Sequence, residues 1–514
     1  MVAIPCIGSF HTALERSNNG NPQSQFSERA ALAAPRRVEE KRRMAFITLS
    51  APRLTRAVPL IVAVALLMEN IDSSVLSTSL PAMSVDLATD PIHLKLVLTS
   101  YLLALAVFIP ASGWAADRFG ARTVFRWAIV VFTLGSIACG LSQNLWQLVL
   151  ARTLQGIGGS MMVPVGRLIV LRTVPRDGLV SALAWLTVPA LLGPVMGPPL
   201  GGYITTFWNW RWIFWINIPL AVLGVILATL MIPNIREEVV ARFDTRGFLM
   251  AGPGLGAFLT GVTLAGLNLA PLGVVALLIG GGLALTAAFV LHALRVEQPL
   301  VDLRLLALPT FRISVTAGTM FRVGVGALPF LLPLMLQLGF GLSAFQSGSL
   351  TFVSGMGAML MKFAAQPLLR RFGFRGVLMG NALVSSVLLA GPALFTPTTP
   401  VAIMLAVLLV GGVSRSLQFT AVNAIAYAEV TGARLSSATS FTAVLQQLSG
   451  SIGITIAAMT LETAGALRGT TATDLGNFPY VFGVITLLSI SSALVFARLN
   501  PLAGASLVKQ KAAG

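Results

Sequence analysis

Glu69 and Asp72 stand three residues apart inside an apolar stretch that begins near residue 57. Carboxylates in such a place are costly and are kept for function. The spacing puts both on one face of a helix. Two acids so close in a low dielectric do not both ionise readily, which keeps at least one able to take and release a proton near neutral pH. That is the chemistry of proton coupling, with Asp72 as principal carrier and Glu69 as its partner or a substrate contact. Arg152, in a later apolar stretch, can hold the other carboxylate charged, and Gln155 follows it by one turn. A buried ion pair that only fixes two helices is the structural alternative. Arg322, Lys362 and Arg415 are the remaining charges within apolar segments. Arg322 and Arg415 have no acid in an apolar segment of their own half of the chain, so they read as cavity-lining anion contacts or as partners of backbone carbonyls. Lys362, near a segment end, reads as snorkelling to the interface. Three arginines against Glu69 and Asp72 leave this set one positive charge. Lipophilic cations would use the two acids and aromatic faces such as Trp185, Phe321 and Phe330. Organic anions or anionic metal chelates would use the arginines.

The elements that position these residues follow from composition. Of 514 residues, 55% are hydrophobic and only 10% charged, against about 25% charged in soluble domains. Runs of roughly 20 apolar residues, enough to cross a bilayer, fall at 57–80, 94–116, 124–142, 144–168, 181–204, 211–232, 247–267, 272–294, 313–336, 345–367, 376–396, 400–427, 437–461 and 479–499. The chain reads as an all-α polytopic membrane protein with fourteen spans. Of its 35 Lys and Arg, most fall in the tails and the even-numbered loops, while the odd loops hold only Lys95, Arg211 and Arg468. By the positive-inside rule, both termini are expected on the cytoplasmic side of the cell's inner membrane. Trp208, Trp210, Trp212 and Trp215 read as anchors at the outer interface.

The same distribution accounts for the net charge of +17 without a nucleic-acid partner, since no basic surface is gathered in one place. Two cysteines and three histidines leave almost no ligands for zinc, haem or disulfide frameworks. No phosphate-binding GxxxxGK[ST] loop is present, so ATP drive from this chain is not expected. Residues 1–43 have no apolar stretch before a cleavage site and read as a disordered tail, with Met44 as a second candidate start. The first span then serves as an uncleaved insertion signal.

Arg118-Phe119-Gly120-Ala121-Arg122, after the second span, recurs as Arg371-Phe372-Gly373-Phe374-Arg375 after the tenth. The repeat divides the chain into a cytoplasmic tail (1–56), a six-helix bundle (57–232), linkers with two inserted spans (233–312), a second six-helix bundle (313–499) and a C-terminal tail (500–514). Repeated halves with a site between them are a recurrent transporter plan. In the first of these loops Gly113, Asp117, Arg118, Gly120 and Arg122 form a charged latch, in which glycines allow a tight turn and Asp117 can bridge arginines or cap a helix. In the fifth span Gly193, Gly197 and Gly201 make a smooth strip at four-residue spacing, with Gly202 beside it. Pro194, Pro198 and Pro199 remove backbone donors and bend the same helix. This reads as a hinge, or as a plain packing seam.

Four stretches carry a resemblance to a known family. Gly113-Trp114-Ala115-Ala116-Asp117-Arg118-Phe119-Gly120-Ala121-Arg122 resembles the signature loop of the major facilitator superfamily, and Arg152-Thr153-Leu154-Gln155-Gly156-Ile157-Gly158-Gly159 its second motif. Gly193-Pro194-Val195-Met196-Gly197-Pro198-Pro199-Leu200-Gly201-Gly202 resembles the motif of its antiporters. Asp72-Ser73-Ser74-Val75-Leu76-Ser77-Thr78-Ser79-Leu80-Pro81 is similar to the first-helix motif of its fourteen-span drug:proton antiporters of EmrB/QacA type, and Trp210-Arg211-Trp212-Ile213-Phe214-Trp215-Ile216-Asn217-Ile218-Pro219 opens the sixth span as it does there. The sequence departs at Ala121, where a second basic residue is usual, and at Ser74-Val75. The resemblance covers residues 57 to 499 and implies the major facilitator fold: two six-helix bundles plus two inserted helices. It further implies a multidrug exporter working by alternating access, driven by the proton gradient with no cofactor. Its expected partners are a small-molecule substrate, protons and the lipid bilayer, the chain acting as a monomer, with any periplasmic adaptor left open. Export of an organic anion or anionic metal chelate is the alternative. A membrane-embedded enzyme would need a nucleophile or clustered acids near a membrane face, which the sequence does not offer.

Overall fold

The computed structural model describes residues 51–174, 179–236, 242–267, 270–430 and 434–504. The expected tail at 1–56 lies outside these apart from its last six residues, as does the chain beyond 504. Regular structure among the described residues is helical, with no strand. A chain this apolar in a bilayer must satisfy its backbone internally, and helices do so within one segment.

The first half consists of α1 (Ala51–Asp86), α2 (Lys95–Phe108), α3 (Ala111–Phe119), α4 (Ala121–Leu141), α5 (Leu145–Thr173), α6 (Leu179–Phe207), α7 (Trp212–Trp215) and α8 (Asn217–Met231). Two helices, α9 (Thr245–Leu267) and α10 (Leu272–Arg295), follow. The second half holds α11 (Pro309–Gly326), α12 (Leu328–Leu334), α13 (Ala344–Ala390), α14 (Val401–Ala426), α15 (Leu435–Arg468) and α16 (Phe478–Phe496). Eleven described helical segments are long and apolar enough to cross a membrane, or twelve if α2 and α3, bent by 57° where Pro110 interrupts the helix, are one span. The 47-residue α13 covers the tenth and eleventh expected segments, broken at Gly373, and α6 covers the fifth. Each of the fourteen expected segments thus falls on helix.

Local chemistry sets several of the boundaries. Asn144 caps α5 by accepting from the Gln147 N–H at 3.0 Å, and Ser343 with Gln346 forms a capping box at the start of α13. The two repeated loops turn on glycine: Gly120 has φ +91° and Gly373 φ +67°, a region other residues enter only with strain.

The halves meet where α6 packs on α13 and α2 on α15. One buried apolar cluster there joins Val75, Leu76 and Leu80 of α1 to Phe330 and Leu331 of α12 and to Ile454 and Leu461 of α15. Polar contacts add to it, with Gln337 Nε2 donating to the Thr78 carbonyl at 2.9 Å and the Phe345 N–H to Thr206 Oγ1 at 3.0 Å. A second cluster, around Met361, Leu369, Phe374 and Leu378, lies wholly among helices of the second half. Outside this seam, α9 packs on α10 and reaches both α2 and α15. Asp244 ties the ends of that pair together, meeting His292 Nε2 at 2.7 Å and accepting from the Gly247 and Leu300 N–H groups at 2.9 and 3.0 Å.

The α6–α13 seam is backbone on backbone. A Cβ at Gly202 would lie 2.8 Å from the Ala344 carbonyl carbon, and one at Gly348 2.8 Å from that of Pro198. Real side chains do not fit there. Gly348→Leu is therefore expected to force the helices apart at an overpacking cost of about 1–3 kcal/mol, read as a lower melting temperature of the detergent-purified protein. An unchanged melting curve would contradict the close seam.

Candidate functional site

Asp72 is the centre of a buried polar network, and its own contacts join three helices, α1, α5 and α8. Its side chain sits mid-way along α1 and is 2% exposed. Oδ2 accepts from Arg152 NH1 at 2.6 Å, while Oδ1 accepts from Gln155 Nε2 and from Asn217 Nδ2, each at 2.8 Å. Gln155 Oε1 is occupied in turn, by Arg152 NH1 at 2.6 Å and Cys139 Sγ at 3.7 Å. Arg152, 1% exposed, lies over the Tyr101 ring with its guanidinium carbon 4.2 Å from the centroid. Ionised groups this deep are tolerated only when paired and hydrogen-bonded, and here each supplies what the other lacks.

The glycines after Gln155 bring these helices close enough. A Cβ on Gly156 would stand 2.8 Å from the Tyr101 carbonyl oxygen of α2, and one on Gly158 2.7 Å from Cα of Phe132 in α4. With α5 held this tightly on two sides, Arg152 and Gln155 are aimed at α1.

Sequence reasoning gave Arg152 to the carboxylate other than the proton carrier, with Asp72 as that carrier. The structure gives Arg152 to Asp72 itself. Glu69, one turn away and 9% exposed, has a buried Oε2 with no hydrogen-bond partner. The reason is reach: Arg152 lies level with Asp72, where Gln155 and Asn217 complete the set. Two members of the site were missed. Gln155 was legible because it follows the intramembrane Arg152 by one turn, whereas no intramembrane charge stands one turn from Asn217 or Tyr101 in the sequence. An asparagine amid Ile-Pro-Leu-Ala was the available signal for Asn217.

The second-half cations lie apart from this network. Arg322 NH2 donates to Asn423 Oδ1 at 2.6 Å and lies 5.9 Å from the Phe419 ring centroid. Arg415 bonds Ser354 Oγ, and Lys362 Nζ bonds Thr420 Oγ1 at 3.0 Å, joining α13 to α14. Among the described residues no ion pair forms at any of the three. Phe321 packs on Phe419 at 5.7 Å, and Phe330 is fully buried in the apolar core, so neither stands free in a cavity. Trp185's side chain lies outside the described residues.

In the last turn of α3, Asp117 accepts from Arg172 of α5 at 2.9 Å, and in the first turn of α4 Arg122 donates to the Ile232 carbonyl at 3.3 Å. Arg118 is exposed, and nothing approaches the position of a Cβ on Gly113, so no helix packs there. Gly120, beside Asn234, supplies the turn. In α6, Gly193, Gly197 and Gly201 face Asn70, Ser74, Val75 and Thr78 of α1, and Ser74 Oγ donates to the Gly193 carbonyl at 3.1 Å. Gly202 faces α13 instead, and the Pro198 carbonyl lies between Gly348 of α13 and Thr78 Oγ1 of α1, from which it accepts at 3.4 Å, while the exposed Pro194 does not break the helix. The strip thus binds α1, and its neighbours bind the other half. Among the described residues no group of three His, Cys, Asp or Glu could hold a metal.

Comparison with known proteins bears on this geometry. The family model described as "Major Facilitator Superfamily" matches residues 62–454. The protein named "Putative multidrug resistance protein MdtD" from Escherichia coli O6:H1 is 38% identical over 461 residues, which cover 87% of this chain and 95% of that one. Its namesake from Salmonella paratyphi B is 38% identical over 453 residues, covering 85% and 94%. Among solved structures, a D-xylose-proton symporter superposes with a TM-score of 0.62 at 15% identity, covering 87% of this chain and 98% of its own. The human organic anion transporter MFSD10 gives 0.55 at 15% identity, covering 86% and 99%.

Removing one partner of a buried pair leaves the other charge uncompensated, at about 3–5 kcal/mol. Arg152→Ala is expected to destabilise the purified protein strongly, and Asp72→Asn/Arg152→Gln to recover more than half of the lost melting temperature. A double variant no better than Arg152→Ala would show that the two side chains do not depend on each other.

Proposed function

Since the chain belongs to the major facilitator superfamily, we propose that it is a proton-coupled secondary exporter of small molecules, working by alternating access, with Asp72 as the site where proton and transport meet. The observation that carries this reading is the Asp72 carboxylate with its three donors. Protonating Asp72 removes the charge that holds the Arg152 guanidinium, so a proton loosens α1 from α5. Glu69, whose Oε2 has no partner, takes a proton or contacts a cationic substrate without any bond being broken first. Movement of α1 reaches the second half through α6, whose glycines contact α1 on one side and α13 on the other. The Asp117–Arg172 pair and the loop around Gly120 act as a latch at the other end of the first half.

In this reading the chain lies in the inner membrane with both termini cytoplasmic, acts as a monomer and uses the proton gradient without a cofactor. Its basic residues concentrate in the tails and even loops, as that orientation requires. A multidrug substrate range is supported by the name of the MdtD relatives. Export of an organic anion or anionic chelate is a second reading, favoured by Arg322, Arg415 and Lys362, which bond neutral oxygens and leave positive charge in the second half.

Everted membrane vesicles carrying the protein provide the test. Lipophilic cations, then organic anions and their metal chelates, are added to vesicles with an imposed pH gradient. Dissipation of the gradient by one class is expected, lost at least tenfold in Asp72→Asn although that variant inserts normally. Dissipation by Asp72→Asn at the wild-type rate would overturn the role of Asp72, and a response to anions alone, lost in Arg322→Ala and Arg415→Ala, would select the second reading.

A further inference from the structure

Resting on the reading of Asp72 as proton carrier, we propose that Asn217 is a positioning residue for both protonation states of Asp72, and that its side-chain amide turns over when Asp72 takes a proton. Asn217 is fully buried at the first position of α8. Its Nδ2 donates to Asp72 Oδ1 at 2.8 Å and to Ser136 Oγ at 3.0 Å. Its Oδ1 is buried and has no hydrogen-bond partner. Ser136 Oγ donates its own hydrogen bond to the Phe214 carbonyl of α7 at 2.9 Å. A chain of hydrogen bonds therefore runs from the Phe214 carbonyl through Ser136 and Asn217 to Asp72, ending beside an unused acceptor.

An ionised carboxylate only accepts, so Asn217 must present its NH2 to it. A protonated carboxyl gains an O–H that needs an acceptor. Two amides touch Asp72, and only one can supply it. Gln155 Oε1 is held on the Arg152 guanidinium, and turning that amide would set an NH2 against a cation. The terminal torsion of Asn217 is broad and roughly two-fold. Half a turn places Oδ1 where Nδ2 was, in reach of the Asp72 O–H. The Ser136 hydroxyl, a free rotor, then donates to Asn217 Oδ1 and leaves the Phe214 carbonyl. One amide atom of Asn217 lacks a partner in either state: Oδ1 when Asp72 is charged, and Nδ2 with its two N–H groups when Asp72 is neutral. The proton itself moves only from water onto Asp72 Oδ1, and its arrival is registered at the break between α7 and α8.

The titratable groups facing this centre are Glu69 on α1, Tyr101 on α2, Cys139 on α4 and Arg152 on α5, with Arg167 acting on Glu69. The segments α6, α7, α8 and α12 contain no Asp, Glu, Lys, Arg or His.

The test is infrared difference spectroscopy of lipid-reconstituted protein stepped between high and low pH, with asparagine carrying a carbon-13 side-chain carbonyl. It uses no transport substrate, and a Glu69→Gln background leaves Asp72 as the carboxyl of interest. Wild type is expected to show a label-shifted amide carbonyl band titrating with the same midpoint as a carboxylic-acid band, and Asp72→Asn to lose both. In Asn217→Leu the amide band disappears. The carboxyl midpoint there moves by less than half a pH unit, since a donor to the charged form and an acceptor to the neutral form are lost together. Gln155→Leu, which removes a donor that the charged form holds more tightly than the neutral one, moves it by about one unit or more. A carboxyl band that titrates with no labelled amide band overturns the inference and leaves Asp72 as carrier. A carboxyl band that survives in Asp72→Asn overturns the reading beneath it. Asn217→Gln, which keeps an unlabelled amide at that place, assigns the band to Asn217 even if Asn217→Leu does not fold.

Discussion

The Asp72–Arg152 pair is the interaction on which the arrangement of the first half depends. An unpaired charge at that depth would cost several kcal/mol, so the two groups must stay together, and the helices that carry them must stay within hydrogen-bonding distance. That requirement explains the small residues around them. Gly156 and Gly158 let α5 lie against the backbones of α2 and α4, and Gly135 of α4 receives Gln155. Arg152 then has a fixed aim, and the Tyr101 ring covers it. A buried pair of this kind is weak ground for claiming stability, because apolar residues of equal volume would serve as well or better. Its value is that one proton changes what the helices require of each other.

The second half satisfies the same constraint differently. Arg322, Arg415 and Lys362 bond an amide oxygen and two hydroxyls rather than carboxylates. Neutral oxygens hold a cation less tightly than a carboxylate does, so these side chains keep part of their electrostatic demand unmet. The two halves repeat one fold and the same glycine turn, at Gly120 and Gly373, yet they place opposite chemistry inside the membrane: a closed acid–base set in the first, and open cations in the second.

Much of this was legible in the residues. Hydropathy located the helices, because the bilayer demands long apolar runs, and the repeated pentapeptide located two glycine turns. The four-residue glycine spacing gave a packing face but not the identity of its partner. Period alone cannot say that Gly193, Gly197 and Gly201 meet α1 while Gly202, displaced around the helix, meets α13. Glu69 and Asp72 lie on one face by spacing, so no sequence argument could decide which of them Arg152 reaches. Asn217 escaped because, unlike Gln155, it has no intramembrane charge one turn away to mark it. Its importance lies in an atom without a partner, which is visible only in three dimensions. Gly113 failed in the opposite direction, since a glycine in a motif suggests close approach and here it faces open space.

Close packing determines how far an event at Asp72 can be felt. Protein interiors are dense and poorly compressible, and α6 has its glycines against α1 on one side and its backbone against α13 on the other. A helix wedged in this way has little room to absorb a displacement of α1 by side-chain rearrangement where its glycines lie against α1 and against the start of α13. It must slide, tilt or bend as a body, and the prolines at 194, 198 and 199 leave it fewer internal hydrogen bonds with which to resist bending. The same residues that hold the halves together thus make them mechanically dependent. Enlarging any glycine of either seam affects both contacts, since relieving a clash with α1 pushes α6 toward Ala344 and Gly348.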